Sequence, residues 1–170
     1  AKPAVSEIQM RLFNLYQAVS HNKLSEFEQI IGTFTKKEKA VLNQIIASSG
    51  DPLLIHAMNV ARWEMIDILL KMDEIDFSQG NDGRKNKEKT RLTPLNIAIN
   101  GALLEDKTAS NFDDDPEAVR EKYFHILERL LQKGLDPNVR NQYGYSVLDI
   151  LIQCSESGRS QLPRVVKLLE

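Results

Sequence analysis

Three stretches of this 170-residue chain repeat one pattern, and that repetition restricts its possible folds more than any other feature. Pro52-Leu53-Leu54-Ile55-His56-Ala57, Thr93-Pro94-Leu95-Asn96-Ile97-Ala98 and Ser146-Val147-Leu148-Asp149-Ile150-Leu151 share one layout. Each places a turn residue ahead of a leucine, and a small or apolar residue three positions after it. An apolar stretch follows each: Met65 to Leu70, Ile126 to Leu131 and Val165 to Leu169. Leu15-Tyr16-Gln17-Ala18, followed by Leu24 to Ile31, reads as a fainter first copy. A unit this short cannot bury its own apolar stripe, so the copies must stack and share a core.

The local signals are helical. Ser6 with Gln9, Ser25 with Glu28, and Thr35 with Glu38 have the spacing of a capping box, in which a hydroxyl and an acid or amide satisfy free N–H groups reciprocally. Asp51-Pro52, Thr93-Pro94 and Asp115-Pro116 set a capping side chain before a proline, whose missing N–H costs nothing at the first helical position. Leu12, Leu15, Tyr16 and Val19 recur at helical spacing, as do Met65, Ile66, Leu69 and Leu70, and Ile126, Leu127, Leu130 and Leu131. Lys133-Gly134 is a helix stop, a cation followed by a residue suited to a left-handed backbone. The expectation is an all-α chain of short paired helices.

Thr93-Pro94-Leu95-Asn96-Ile97-Ala98 resembles the Thr-Pro-Leu-His-x-Ala signature of the ankyrin repeat family, with Asn96 in place of histidine. The stretch from Gly134-Leu135-Asp136-Pro137-Asn138 to Gly144 is similar to that family's turn between repeats. Leu54 to Leu95 spans 41 residues and Leu95 to Leu148 spans 53, against about 33 in the family. The longer interval carries its excess inside one repeat, between Ala98 and Ile126; the shorter carries it in the turn before Thr93. The resemblance implies an ankyrin-type solenoid of three to four helix pairs. Residues 1–50 would form an N-terminal helical cap with a degenerate repeat, and Thr35 to Ser48 an added capping helix. Residues 51–170 would form divergent repeats. The chain stops at Val165-Val166-Lys167-Leu168-Leu169-Glu170, inside a second helix, so the repeats are expected to continue beyond it.

The resemblance also implies a binding module, working through turn tips and the exposed side of each first helix. Mapped here, the candidate partner-binding residues are Gln142, Tyr143 and Tyr145 at the last turn, Lys89 and Leu92 before the second full repeat, and Asn59, Asn100 and Gln153 on first helices. Tyr143 and Tyr145 stand out, because tyrosine offers a large apolar face and a polar end at little rotamer cost. The competing reading is that one ring packs against its own turn. Arg84, Lys85, Lys87, Lys89 and Arg91 make one turn basic, and Glu105, Asp106, Asp113, Asp114, Asp115 and Glu117 make the long insertion acidic. Such segments either steer a charged partner or simply remain solvated.

A net charge of -2 gives no general attraction to nucleic acid. No apolar run approaches the roughly 20 residues of a membrane span, and the single Cys154 suits a reducing, cytoplasmic setting. Phosphate loops, nucleophile elbows and paired metal histidines are missing, and His21, His56 and His125 are widely spaced. The expected function is therefore recognition of a protein partner, with no catalytic residues, cofactor or metal. The alternative is an accessory region of a larger enzyme or host-directed effector whose catalytic domain lies elsewhere.

Overall fold

Every regular element in the computed structural model is helical, over the residues it describes: 2–45, 50–83, 92–103, 116–136 and 138. They are α1 (Lys2–Ser20), α2 (Leu24–Thr33), a 3-10 helix (Glu38–Asn43), α3 (Leu53–Asn59), α4 (Trp63–Leu70), α5 (Pro94–Leu103) and α6 (Pro116–Gln132). They fall into two units, Ala1–Leu92 and Thr93–Glu170.

The first unit contains two helical hairpins, α1–α2 and α3–α4, closed by the same turn. Asn22 (φ 56°) ends α1 in the left-handed region, and Ala61 (φ 57°) does the same for α3. Lys23 N–H then reaches back to the Ala18 carbonyl (2.8 Å) and Asn22 N–H to that of Val19 (3.3 Å). In the second hairpin Arg62 N–H reaches Ala57 (3.1 Å) and Ala61 N–H reaches Met58 (3.2 Å). Both are Schellman closures, which satisfy the last free carbonyls of a helix while reversing the chain. Asparagine tolerates a left-handed backbone; alanine adopts it against the steric cost at Cβ.

Burial repeats with the turn. Leu15 and Leu54, Ala18 and Ala57, Val19 and Met58, and Phe27 and Ile66 are all buried, each pair 39 residues apart. The predicted face Leu12, Leu15, Tyr16 and Val19 points inward, as does Met65, Ile66, Leu69 and Leu70. Helix α1 packs on α2 and on α3, and α2 on α4. Each fully buried leucine stabilises that union by roughly 1.5–3 kcal/mol.

Of the three expected capping boxes, the one at Thr35 forms. Thr35 N–H donates to Glu38 Oε1 (2.9 Å) and Glu38 N–H to Thr35 Oγ1 (3.1 Å), so the third box closes and starts the 3-10 helix. That six-residue helix lies within the stretch from Thr35 to Ser48 expected to add a capping helix, of which residues 46–48 lie outside the described residues. Ser6 lies well inside α1, which begins at Lys2. Ser25 lies inside the first turn of α2, because the Schellman closure already delivers the chain at Lys23, the cap position. Arg11 ties these parts together. Its Nη1 donates to the Thr33 carbonyl (3.0 Å) and its Nη2 to Glu38 Oε2 (2.9 Å). The guanidinium also sits 4.7 Å from the centre of the buried Phe34 ring. Its Nε is buried without a hydrogen-bond partner, so the group acts through its two Nη atoms and its ring contact.

In the second unit the expected signals hold at both ends. Thr93 Oγ1 accepts the Asn96 N–H (3.2 Å) and Pro94 opens α5, with Leu95 and Ala98 buried. Helix α5 packs on α6, whose inner face is Val119, Tyr123, Phe124, Ile126, Leu127 and Leu130. Burial there pushes the Tyr123 phenol up to about 12. Gly134 (φ 86°) stops the helix, its N–H bonded to the Leu131 carbonyl at 3.0 Å. Leu148, and Asp115 as a cap, lie outside the described residues.

Two expectations follow. Ala61→Gly should raise stability by about 0.5–1 kcal/mol in urea unfolding, since relief of left-handed strain exceeds the entropy lost by glycine; a fall in stability would show that the alanine methyl outweighs the strain. Glu38 is held below the ordinary carboxylate range, first by the Thr35 N–H and then by Arg11. A lowered native pKa stabilises the fold above the unfolded value, and the gain is lost as pH falls through the native one. Glu38→Gln should therefore cost stability at neutral pH by a margin that disappears on acidification, in urea unfolding repeated across pH.

Candidate binding surface

Asp51 was expected to cap α3, but it does something else. Pro52 takes the cap position with an extended backbone (φ -72°, ψ 166°) and α3 begins at Leu53. This turns Asp51 inward, where it is fully buried. Its Oδ1 accepts Asn81 Nδ2 (3.2 Å), its Oδ2 accepts Asn59 Nδ2 (3.4 Å), and its carbonyl accepts the Tyr16 hydroxyl (2.7 Å). Burial, reinforced by the Asp51 charge, holds the Tyr16 phenol protonated far above the usual tyrosine range.

Asn81, itself buried, uses its backbone N–H and both ends of its side-chain amide. Its N–H donates to the Leu92 carbonyl (3.0 Å), and its Oδ1 accepts the N–H groups of Gly83 and Leu92 (3.0 Å each). Beside it, Asp82 N–H donates to the Gly50 carbonyl (3.0 Å), and Gly83 turns the chain at φ 80°. Only an amide fits this position. It must accept from two backbone donors while donating to a carboxylate, and an aspartate would set two carboxylates against each other. The result is a closed loop base: the chain leaves at Gly83, carries its cluster of cations, and returns at Leu92.

A second polar tie joins α1 to α3. Ser20 Oγ and His56 Nε2 hydrogen-bond at 2.9 Å, and the His56 ring stacks on Tyr16 with centroids 5.1 Å apart. Arg62 caps the end of α1, its Nε on the Val19 carbonyl (2.8 Å) and its Nη2 on that of Ser20 (2.9 Å). A hydroxyl–imidazole pair invites comparison with a nucleophile and its base. This one sits at the carbonyl end of a helix, where the dipole favours cations and opposes a developing oxyanion. It joins two helices.

Of the candidate partner-binding residues, the structure describes the side chains of Asn59 and Leu92. Asn59 is exposed at the end of α3 and bonded to Asp51. Leu92 is half-buried, its backbone paired with Asn81. Asn100 lies in α5 with its side chain outside the described set, and Lys89, Gln142, Tyr143, Tyr145 and Gln153 lie outside it altogether. Asn81 and Ser20 were not singled out by the sequence pattern, and His56 was noted only as one of three widely spaced histidines, because Asp51 lies 30 residues from Asn81 and Ser20 lies 36 from His56. An Asn-Asp-Gly turn ahead of Thr93-Pro94 was the one available clue.

Among the described residues no three His, Cys, Asp or Glu side chains gather as metal ligands, and no helix is long and apolar enough to cross a membrane. Compared with models of known protein families, the chain matches none. Compared with curated proteins, it likewise finds no sequence match.

Asn81→Ala should cost about 2–3 kcal/mol, since it strips the acceptor from two backbone donors and a donor from a buried carboxylate. Hydrogen exchange at the Leu92 amide should accelerate more than at Leu69 in α4. Uniform acceleration, or unchanged stability, would show that the loop base is held by other contacts.

Proposed function

We propose that this chain is an ankyrin-type helical-repeat scaffold that binds a protein partner and carries no catalytic machinery of its own. The observation that supports it most is the repetition of one hairpin, from its left-handed turn to its buried positions, at Leu15 to Ile31 and again at Leu54 to Leu70. Leu95 and Ala98 occupy the same places at the start of α5 as Leu54 and Ala57 do in α3, and all four are buried. Hairpins of this kind leave one side of each first helix and the connecting turns open, and recognition is the use such a surface serves.

Asn59 and the closed base below Leu92 suit the reading. A loop whose ends are fixed loses less entropy on binding than a free one, which favours affinity. In this account Tyr143 and Tyr145 supply the main anchors at the last turn, with Gln142, Asn100 and Gln153 beside them. The basic residues around Lys89 and the acidic insertion govern the rate of encounter. The partner is a protein: the net charge of -2 and the lack of aromatics among the basic residues speak against nucleic acid.

The test is replacement of Tyr143 and Tyr145 by alanine. Binding to a partner captured by the wild-type chain should weaken at least tenfold, as for loss of an aromatic hot spot, while thermal unfolding stays within a degree or two. An equal loss of folding would make the rings structural, and unchanged affinity would move the site elsewhere.

A further inference from the structure

Asp82-Gly83 closes the base of the loop that returns at Leu92, and two demands on this dipeptide conflict. Gly83 is buried with φ 80°, in the left-handed region that a residue with a Cβ adopts only under strain. The turn therefore needs glycine. Glycine after aspartate is also the most labile arrangement for that acid, because no Cβ shields its nitrogen from the preceding side-chain carboxyl. The amide nitrogen can attack Cγ, forming a C–N bond and expelling a carboxyl oxygen as water to leave a cyclic imide. Water then opens the ring at either carbonyl. Opening at the former main-chain carbonyl yields isoaspartate, with the backbone rerouted through Cβ and Cγ. The water lost is regained, and no oxidant or cofactor takes part.

We propose that Asp82–Gly83 is a latent isoaspartate-forming site that Asn81 holds closed. The attacking nitrogen must give up its proton and turn toward Cγ. In the folded chain that N–H is committed to Asn81 Oδ1 (3.0 Å). Asn81 is itself fixed, by Asp51 through its Nδ2 (3.2 Å) and by the Leu92 carbonyl through its backbone N–H (3.0 Å). On the other side of the reacting residue, the Asp82 N–H is bonded to the Gly50 carbonyl (3.0 Å). Both peptide planes flanking Asp82 are thus tied, and rotation about its backbone bonds requires the base to open first. Asn81 and Gly83 are both buried, which also keeps away the solvent base that would take the proton. Once the imide forms, opening is a one-way step. Isoaspartate adds a methylene to the main chain between Asn81 and Gly83, so the Gly83 N–H no longer meets Oδ1 and the clamp does not close again.

The full chain, aged in heavy-oxygen water at neutral pH and well below its unfolding temperature, reports the reaction, because each ring opening leaves a heavy oxygen in the product. Isoaspartate at residue 82, counted by enzymatic methylation of the digested chain, should form at least about tenfold more slowly in the folded chain than in urea-unfolded chain, as for a segment that reacts only on opening. Asn81→Ala should bring the folded rate toward the unfolded one, by a larger factor than it raises hydrogen exchange at the Leu69 amide. In wild type, urea below the unfolding transition should raise isomerisation in step with exchange at the Gly83 amide, not at Leu69. Should Asn81→Ala fail to fold, this wild-type comparison decides alone. Equal rates in folded and unfolded chain would overturn the proposal, as would a folded Asn81→Ala chain that reacts no faster than wild type. So would isomerisation that follows Leu69, which would mean that the whole unit must unfold before the site reacts.

Discussion

Helix α3 is seven residues long, and five of its side chains are buried. A helix that short is not stable alone in water, where about 12–15 residues are needed even for favourable sequences. It exists because α1 lies along one side of it and α4 along another, and the first unit follows from that dependence. The left-handed turn at Ala61 has to bring α4 back against α3 at once, even at the cost of straining an alanine. The longer α1 can expose a whole face because its other face already buries Leu12, Leu15, Tyr16 and Val19.

Apolar burial fixes which helices meet, but it is indifferent to small slides and rotations. Directional bonds supply the rest. Tyr16 is the shared member, its ring against His56 and its hydroxyl on the backbone of Asp51. The Asp51 carboxylate in turn receives the side chains of Asn59 and Asn81, so α1, α3 and the loop base converge on one buried aspartate, α1 through its backbone carbonyl. Buried polar groups are costly unless satisfied, and a satisfied network tolerates one arrangement only. Arg11 plays a comparable part at the other end of α1, joining the end of α2 to the capping box at Thr35 and Glu38.

How much of this could be read from the residues depends on how local each cause is. Thr93 with Pro94, Gly134, and Thr35 with Glu38 act within four residues, and each behaves as its spacing suggests. The apolar faces of α1, α4 and α6 were legible for the same reason, since helical periodicity is a short-range property. Ser6, Ser25 and Asp51 were misread because a neighbouring event took precedence. Helix α1 starts earlier than its serine, the turn at Asn22 preempts the second cap, and Pro52 displaces Asp51. The loop-base bonds of Asn81 and the His56 tie depend on residues brought together only by folding. Side chains proposed to meet a partner were inferred from family resemblance, which places them by alignment and leaves their geometry open.

The hydrogen-bonded base at Asn81 and Leu92 separates what happens beyond it from the folding of the unit itself. Doubling the length of a closed loop costs only about 0.6 kcal/mol, because the entropy of closure grows with the logarithm of length. With Gly83 and Leu92 pinned, residues can be added, removed or exchanged between them without disturbing the register of Thr93 and Pro94. The segment is thus a natural place for variation to accumulate, and a practical one for grafting a foreign peptide onto a helical frame.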